Sequence, residues 1–136
     1  YAADGCDGDM RNSTITVRLT NTATDRPLPD YVAGTLGLAS EIPLKAPPGT
    51  MVSSVRVLTT KGAILKGVSA NGERASALTH VENGRPSFEV QVAIPPGQSG
   101  ELAFRLSEPS SPGAARVPVQ PLIDSVTPEV SVPQCR

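Results

Sequence analysis

The chain has 136 residues, a formal net charge of −1 and 3% aromatic residues with no tryptophan. That length holds one sizeable core and not two, so residues 1–136 read as a single domain. Acids and bases are mixed along the chain, which leaves neither the basic footprint of a nucleic-acid binder nor a polybasic segment for an anionic membrane.

Tyr1 opens the chain without a basic-then-apolar leader behind it, so the chain reads as a processed or excised piece of a larger protein. Asp4, Asp7 and Asp9 stand among glycines, but their spacing is not that of a helix-loop-helix calcium loop, and turn chemistry around Cys6 accounts for them. Asn12-Ser13-Thr14 is formally a glycosylation sequon. From Ser13 to Thr20, Ile15, Val17 and Leu19 alternate with Thr14, Thr16, Arg18 and Thr20, the pattern of a half-buried strand rich in β-branched residues.

Asn21 to Thr50 lacks such alternation and is broken by Pro27, Pro29, Pro43, Pro47 and Pro48. Loops of that length are uncommon in compact domains and are often functional. Tyr31, beside Asp30, is the candidate binding residue there, either as a contact for a partner or with its ring packed beneath the loop. Met51 to Thr60 reads as a strand, with Val55 and Val57 inward and Arg56 outward. Lys61-Gly62 turns into Ala63 to Ala70, where Ile64 and Leu65 compete for the core. Asn71-Gly72 and Asn83-Gly84 are hairpin turns, because both central positions of a type I′ turn need positive φ. The polar, alanine-rich segment between them, Glu73 to Glu82, suits an edge strand.

The strongest signal is Ser87 to Leu106. Phe88, Val90, Val92 and Ile94 alternate, Pro95-Pro96-Gly97 interrupts, and Leu102, Phe104 and Leu106 resume the period, which predicts two strands around a turn. At about 1.5–3 kcal/mol for each side chain buried, this ribbon carries roughly 10–20 kcal/mol of driving force, an upper figure because unfolded chains are already partly compact. It needs a second sheet over its apolar face. Arg116 to Gln120 and Val126 to Val132 then read as two short closing strands, the last running into Cys135.

Cys6 and Cys135 are the only cysteines. They are either separate buried thiols or one disulfide closing nearly the whole chain. The disulfide is preferred, because the termini of a sandwich can meet and no metal-type CxxC spacing is present. Such a bond belongs to an oxidising compartment. The fold expected is therefore all-β, an immunoglobulin- or fibronectin-like antiparallel sandwich of seven or eight strands with its termini joined by sulfur.

The run CDGDMRNSTITVRLTNTATDRPLPDYV, followed by APPGT, NGRPSFEVQVAIPPGQSGELAFRLSEP and VPVQPL, resembles the C-terminal β domain of an uncharacterised family of large, membrane-anchored exported proteins of actinobacteria. LPDYV near the PPGT turn is the more distinctive part. The resemblance implies an extracytoplasmic domain whose membrane anchor lies N-terminal to this chain, and it brings no catalytic or binding residues. Between Ala33 and Lys45 the chain departs from the family with a longer loop, so no loop function is carried over.

Catalytic signals are sparse. His80 is the only histidine, no GxSxG elbow occurs, and paired cysteines leave no thiol nucleophile, so His80 reads as a surface residue. Carboxylate pairs such as Glu41 with Asp30 or Glu101 with Glu108 are not selected by any spacing. One histidine without free thiols leaves too few ligands of the usual kind for zinc, and no phosphate-cradling glycine motif is present. The expectation is a non-enzymatic structural or protein-interaction module of a bacterial cell-envelope protein, without cofactor or metal. Its partner is a protein or envelope component, with no nucleic acid and no insertion of this piece into the membrane. The competing expectation is a ligand-binding domain for envelope polysaccharide or peptide, although a flat sugar-binding face lined with aromatic rings is hard to build here: tryptophan is missing and both phenylalanines fall on core phases.

Overall fold

A computed structural model describes residues 1–23, 29, 46–121 and 126–135 of the chain. They form eight strands in two antiparallel sheets, β1 (Ala2–Ala3), β2 (Met10–Thr20), β3 (Met51–Leu58), β4 (Ile64–Ala70), β5 (Glu73–Ala75), β6 (Leu78–Glu82), β7 (Arg85–Ile94) and β8 (Ser99–Pro109). The five-stranded sheet has the order β1-β2-β8-β4-β5, and the three-stranded sheet β3-β7-β6. No helix is present among the described residues.

The alternation along β7 and β8 is as expected, but the ribbon is not a hairpin. β7 bonds to β3 and β6, β8 bonds to β2 and β4, and the two strands belong to opposite sheets. Pro95 and Pro96 have no N–H to offer a ladder, and only Gly97 in this turn has positive φ, so the paired positive φ values of a type I′ turn are missing. The turn is held by Gln98 N–H donating to the Pro95 carbonyl at 3.1 Å, and it carries the chain across the sandwich. Phe88 and Val90 consequently face Leu102, Phe104 and Leu106 in one buried cluster, with Phe104 wholly excluded from solvent. The two halves of the ribbon cover each other.

Register sets the rows of this core. Phe104 lies between Ile15 of β2 and Val68 of β4, Leu106 between Ser13 and Leu65, and Leu102 between Val17 and Ala70. The competition between Ile64 and Leu65 is settled by a shift in the β4–β8 ladder between Leu65 and Gly67. With that irregularity Leu65 and Val68 both pack on the core, although they stand three apart, while Ile64 is left 54% exposed.

Turn chemistry decides which strands stay together. Asn71 and Gly72 have φ of 50° and 84°, Asn83 and Gly84 have 50° and 72°, and these pairs close the β4–β5 and β6–β7 hairpins. The Lys61-Gly62 turn instead passes from β3 in one sheet to β4 in the other. The edge strand expected over Glu73 to Glu82 is likewise divided, with β5 on the margin of one sheet and β6 on the margin of the other. Ser76 and Ala77 make the crossing, and Ala75 and Ala77 pack small side chains against the core as they do so.

The two closing strands do not form. Arg116 to Gln120 has no ladder, and from Val126 to Val132 there is a single bridge, Ser131 to Ala2. Pro118, Pro121, Pro128 and Pro133 remove donors along this stretch. Sulfur still joins the ends: Cys6 and Cys135 form a disulfide with Cα atoms 5.7 Å apart.

Candidate functional site

Around the disulfide, β2 begins earlier than alternation alone indicates, at Met10, which puts Arg11 on the inward phase with Ser13 and Ile15. Arg11 is buried, and its guanidinium donates to the Pro133 carbonyl at 3.0 Å, to Cys6 Sγ at 3.3 Å and to Cys135 Sγ. Glu108, its cross-strand partner on β8, is also buried and accepts from the Tyr1 hydroxyl. Burial, and then this bond to Glu108, pushes the Tyr1 phenol up to about 12. Main-chain bonds from Ala3 N–H to the Ser131 carbonyl (3.0 Å) and from Ser131 N–H to the Tyr1 carbonyl (2.9 Å) complete the seam. This end of the sandwich is a structural clasp, because its polar groups are turned on one another.

At the opposite end Asn21 gathers three segments. Its side-chain amide donates to the carbonyls of Gly49 (2.9 Å) and Ile94 (2.8 Å), and its side-chain oxygen accepts from Ala23 N–H at 3.0 Å. Its main chain exchanges bonds with the Pro95–Gln98 turn, through Gln98 O and Gly97 N–H, both at 2.9 Å.

On the outer face of the three-stranded sheet, Glu89 accepts from Arg56 Nη2 at 2.5 Å and Nε at 3.0 Å, from the Ser54 hydroxyl, and faces His80 Nε2 at 3.4 Å. The Ser54 bond first, and then Arg56, holds the Glu89 carboxyl below its ordinary range. The carboxylate stands between hydroxyl and imidazole, which is not the hydroxyl–imidazole–carboxylate order of a Ser-His-Asp triad. His80 is exposed, as a surface histidine is.

Glu101 and Glu108 do not meet. They lie on opposite faces of β8, the first paired with Arg18 at 2.8 Å, the second turned inward to Tyr1. Tyr31 and Asp30, the candidate binding pair, lie outside the described residues, as does Glu41. No group of three or more metal-ligating side chains occurs among the described residues.

The feature with the character of a docking surface is β6. Among the described residues it is bonded on one side only, to β7, and forms the margin of its sheet, and each of its five residues is exposed. Leu78 and Val81 are 59% and 76% exposed. A sheet edge with free backbone groups and apolar side chains is a template for an added strand. The polar, alanine-rich composition of Glu73 to Glu82 made this edge visible in the sequence, whereas Arg11 and Asn21 carried no local signal: the one stands ahead of the alternation that begins at Ser13, the other opens the stretch without alternation. Comparison with protein families, with curated proteins and with solved structures found no match.

Proposed function

We propose that this chain is a non-enzymatic, immunoglobulin-like interaction module of a bacterial cell-envelope protein, and that it takes an extended segment of a partner protein along the exposed edge of β6. The exposed margin Leu78–Glu82 is the observation that carries the reading. The immunoglobulin likeness is one of layers, since the last strand, β8, sits inside its sheet rather than at a margin. The disulfide supports an extracytoplasmic setting, with the anchor supplied by a segment outside this chain. No helix of the described residues is long and apolar enough to cross a membrane.

A photoreactive side chain at position 78 or 81 of the full-length protein, activated in cells, tests the reading. Adducts with a defined partner peptide should form there, should not form from position 18 on the other sheet, and should disappear when the remaining apolar edge residue is changed to Lys. Equal labelling from both sheets would refute edge recognition.

A further inference from the structure

The five-stranded sheet carries a separate feature, independent of the β6 edge. Where the β4 ladder shifts, Lys66 lies between the paired residues Leu65 and Gly67. Gly67 sits opposite Arg105 in register, and a β-carbon placed on Gly67 would lie 3.0 Å from Arg105 Nη2. The guanidinium therefore lies across β4 at the one position with no side chain to hold it off. Lys66 and Arg105 together line two open depressions, of 370 and 600 Å³. Asp4, Asn12 and Thr14 border the first; Arg74 and Ser76 border the second.

Arg18 and Arg56 each face a glutamate, but Lys66, Arg74 and Arg105 take part in no ion pair among the described residues. We propose that these three cations bind an anionic polysaccharide bearing phosphate or sulfate groups. Arginine's planar fork matches such oxyanions, and lysine adds a point charge beside it. The bordering hydroxyl and amide groups suit sugar hydroxyls. Both depressions are open to solvent, which lets a chain run over them. Neither is lined by an aromatic ring, which withholds the stacking platform that single-stranded nucleic acid uses.

Titration of the chain with sulfated dextran, phosphorylated dextran, neutral dextran and oligodeoxythymidylate of matched length tests the proposal. At least one charged dextran should bind at low salt and weaken as salt rises. Neutral dextran should not bind, and the oligonucleotide should bind at least tenfold more weakly than the charged dextran, about one charge-assisted contact's worth. Lys66→Gln and Arg105→Gln should each weaken binding about tenfold. Gly67→Ala should weaken it with net charge unchanged, by displacing the Arg105 guanidinium, while Arg18→Gln leaves it intact. Unfolding midpoints of the variants check that the sheet persists, and Lys66→Ala serves as a second variant at that position. Absence of binding to both charged dextrans, equal loss in Arg18→Gln, or oligonucleotide binding as tight as that of the dextrans would overturn the proposal.

Discussion

The side-chain amide of Asn21 donates to the Ile94 carbonyl at 2.8 Å and so ties the end of β2 in one sheet to the end of β7 in the other. The same amide reaches Gly49 at 2.9 Å, just before β3 begins. Three segments distant in sequence thus share one buried side chain.

Asn21→Ala should therefore destabilise the fold by about 2–4 kcal/mol, since two carbonyls lose their donor in a buried setting. Asn21→Asp should be no better tolerated, because a carboxylate offers neither N–H. Chemical denaturation of the three proteins measures this, and a change below about 0.5 kcal/mol, the range of plain surface substitutions, would show that the hub is dispensable.

Phe104 and Ile64 test the phase of the core. Phe104→Ala should cost about 3–5 kcal/mol, whereas Ile64→Ala, on the other side of the β4 irregularity, should change stability by less than about 1 kcal/mol. Comparable losses at both positions would mean that the irregularity between Leu65 and Gly67 is misplaced.

Stability should respond to pH at both extremes. The Tyr1 phenol is raised from 10.0 to about 12 in the folded protein. The unfolded chain therefore releases its proton first, and the contribution, complete below pH 10, is lost as pH climbs from 10 to 12. Glu89 is shifted the other way, so its contribution is present above its ordinary value of 4.5 and is lost as pH falls below it. Denaturation midpoints against pH should lose the alkaline component in Tyr1→Phe and the acid component in Glu89→Gln, each relative to the unchanged chain.

The clasp makes a further prediction. Alkylation without reductant should label neither Cys6 nor Cys135, and replacing both by Ser should cost about 2–5 kcal/mol. With the covalent tie gone, Arg11 loses its sulfur neighbours, and the seam at Ser131 is held by its main-chain bonds and by the Arg11 bond to the Pro133 carbonyl. Main-chain amides at Ala3 and Ser131 should then exchange hydrogen faster.

Which face of β2, β3, β7 and β8 is buried was legible in the sequence, because alternation reports it directly, as at Phe88 and Val90 or Leu102 and Phe104, whereas the phase of β4 was not. Which sheet each strand joins was not. Alternation is the same whether a turn folds the chain back on itself or carries it across the sandwich, and the difference lies in turn chemistry. The two Asn-Gly turns supply the paired positive φ of a hairpin, while Pro95-Pro96-Gly97 and Lys61-Gly62 lead to the other sheet. Val126 to Val132 shows the converse, a run with apolar alternation whose prolines leave it a single bridge. Arg11 illustrates a third limit, since a charged residue on an inward phase makes sense only once the sulfurs and the Pro133 carbonyl are placed beside it.

Hydrogen exchange on the full-length protein, purified with its bound partner and compared with the isolated chain, tests edge recognition most directly. Amides within residues 78–82 that face away from β7 should exchange quickly in the isolated chain and become protected in the complex. Unchanged exchange along β6, with protection confined to another surface, would contradict the account.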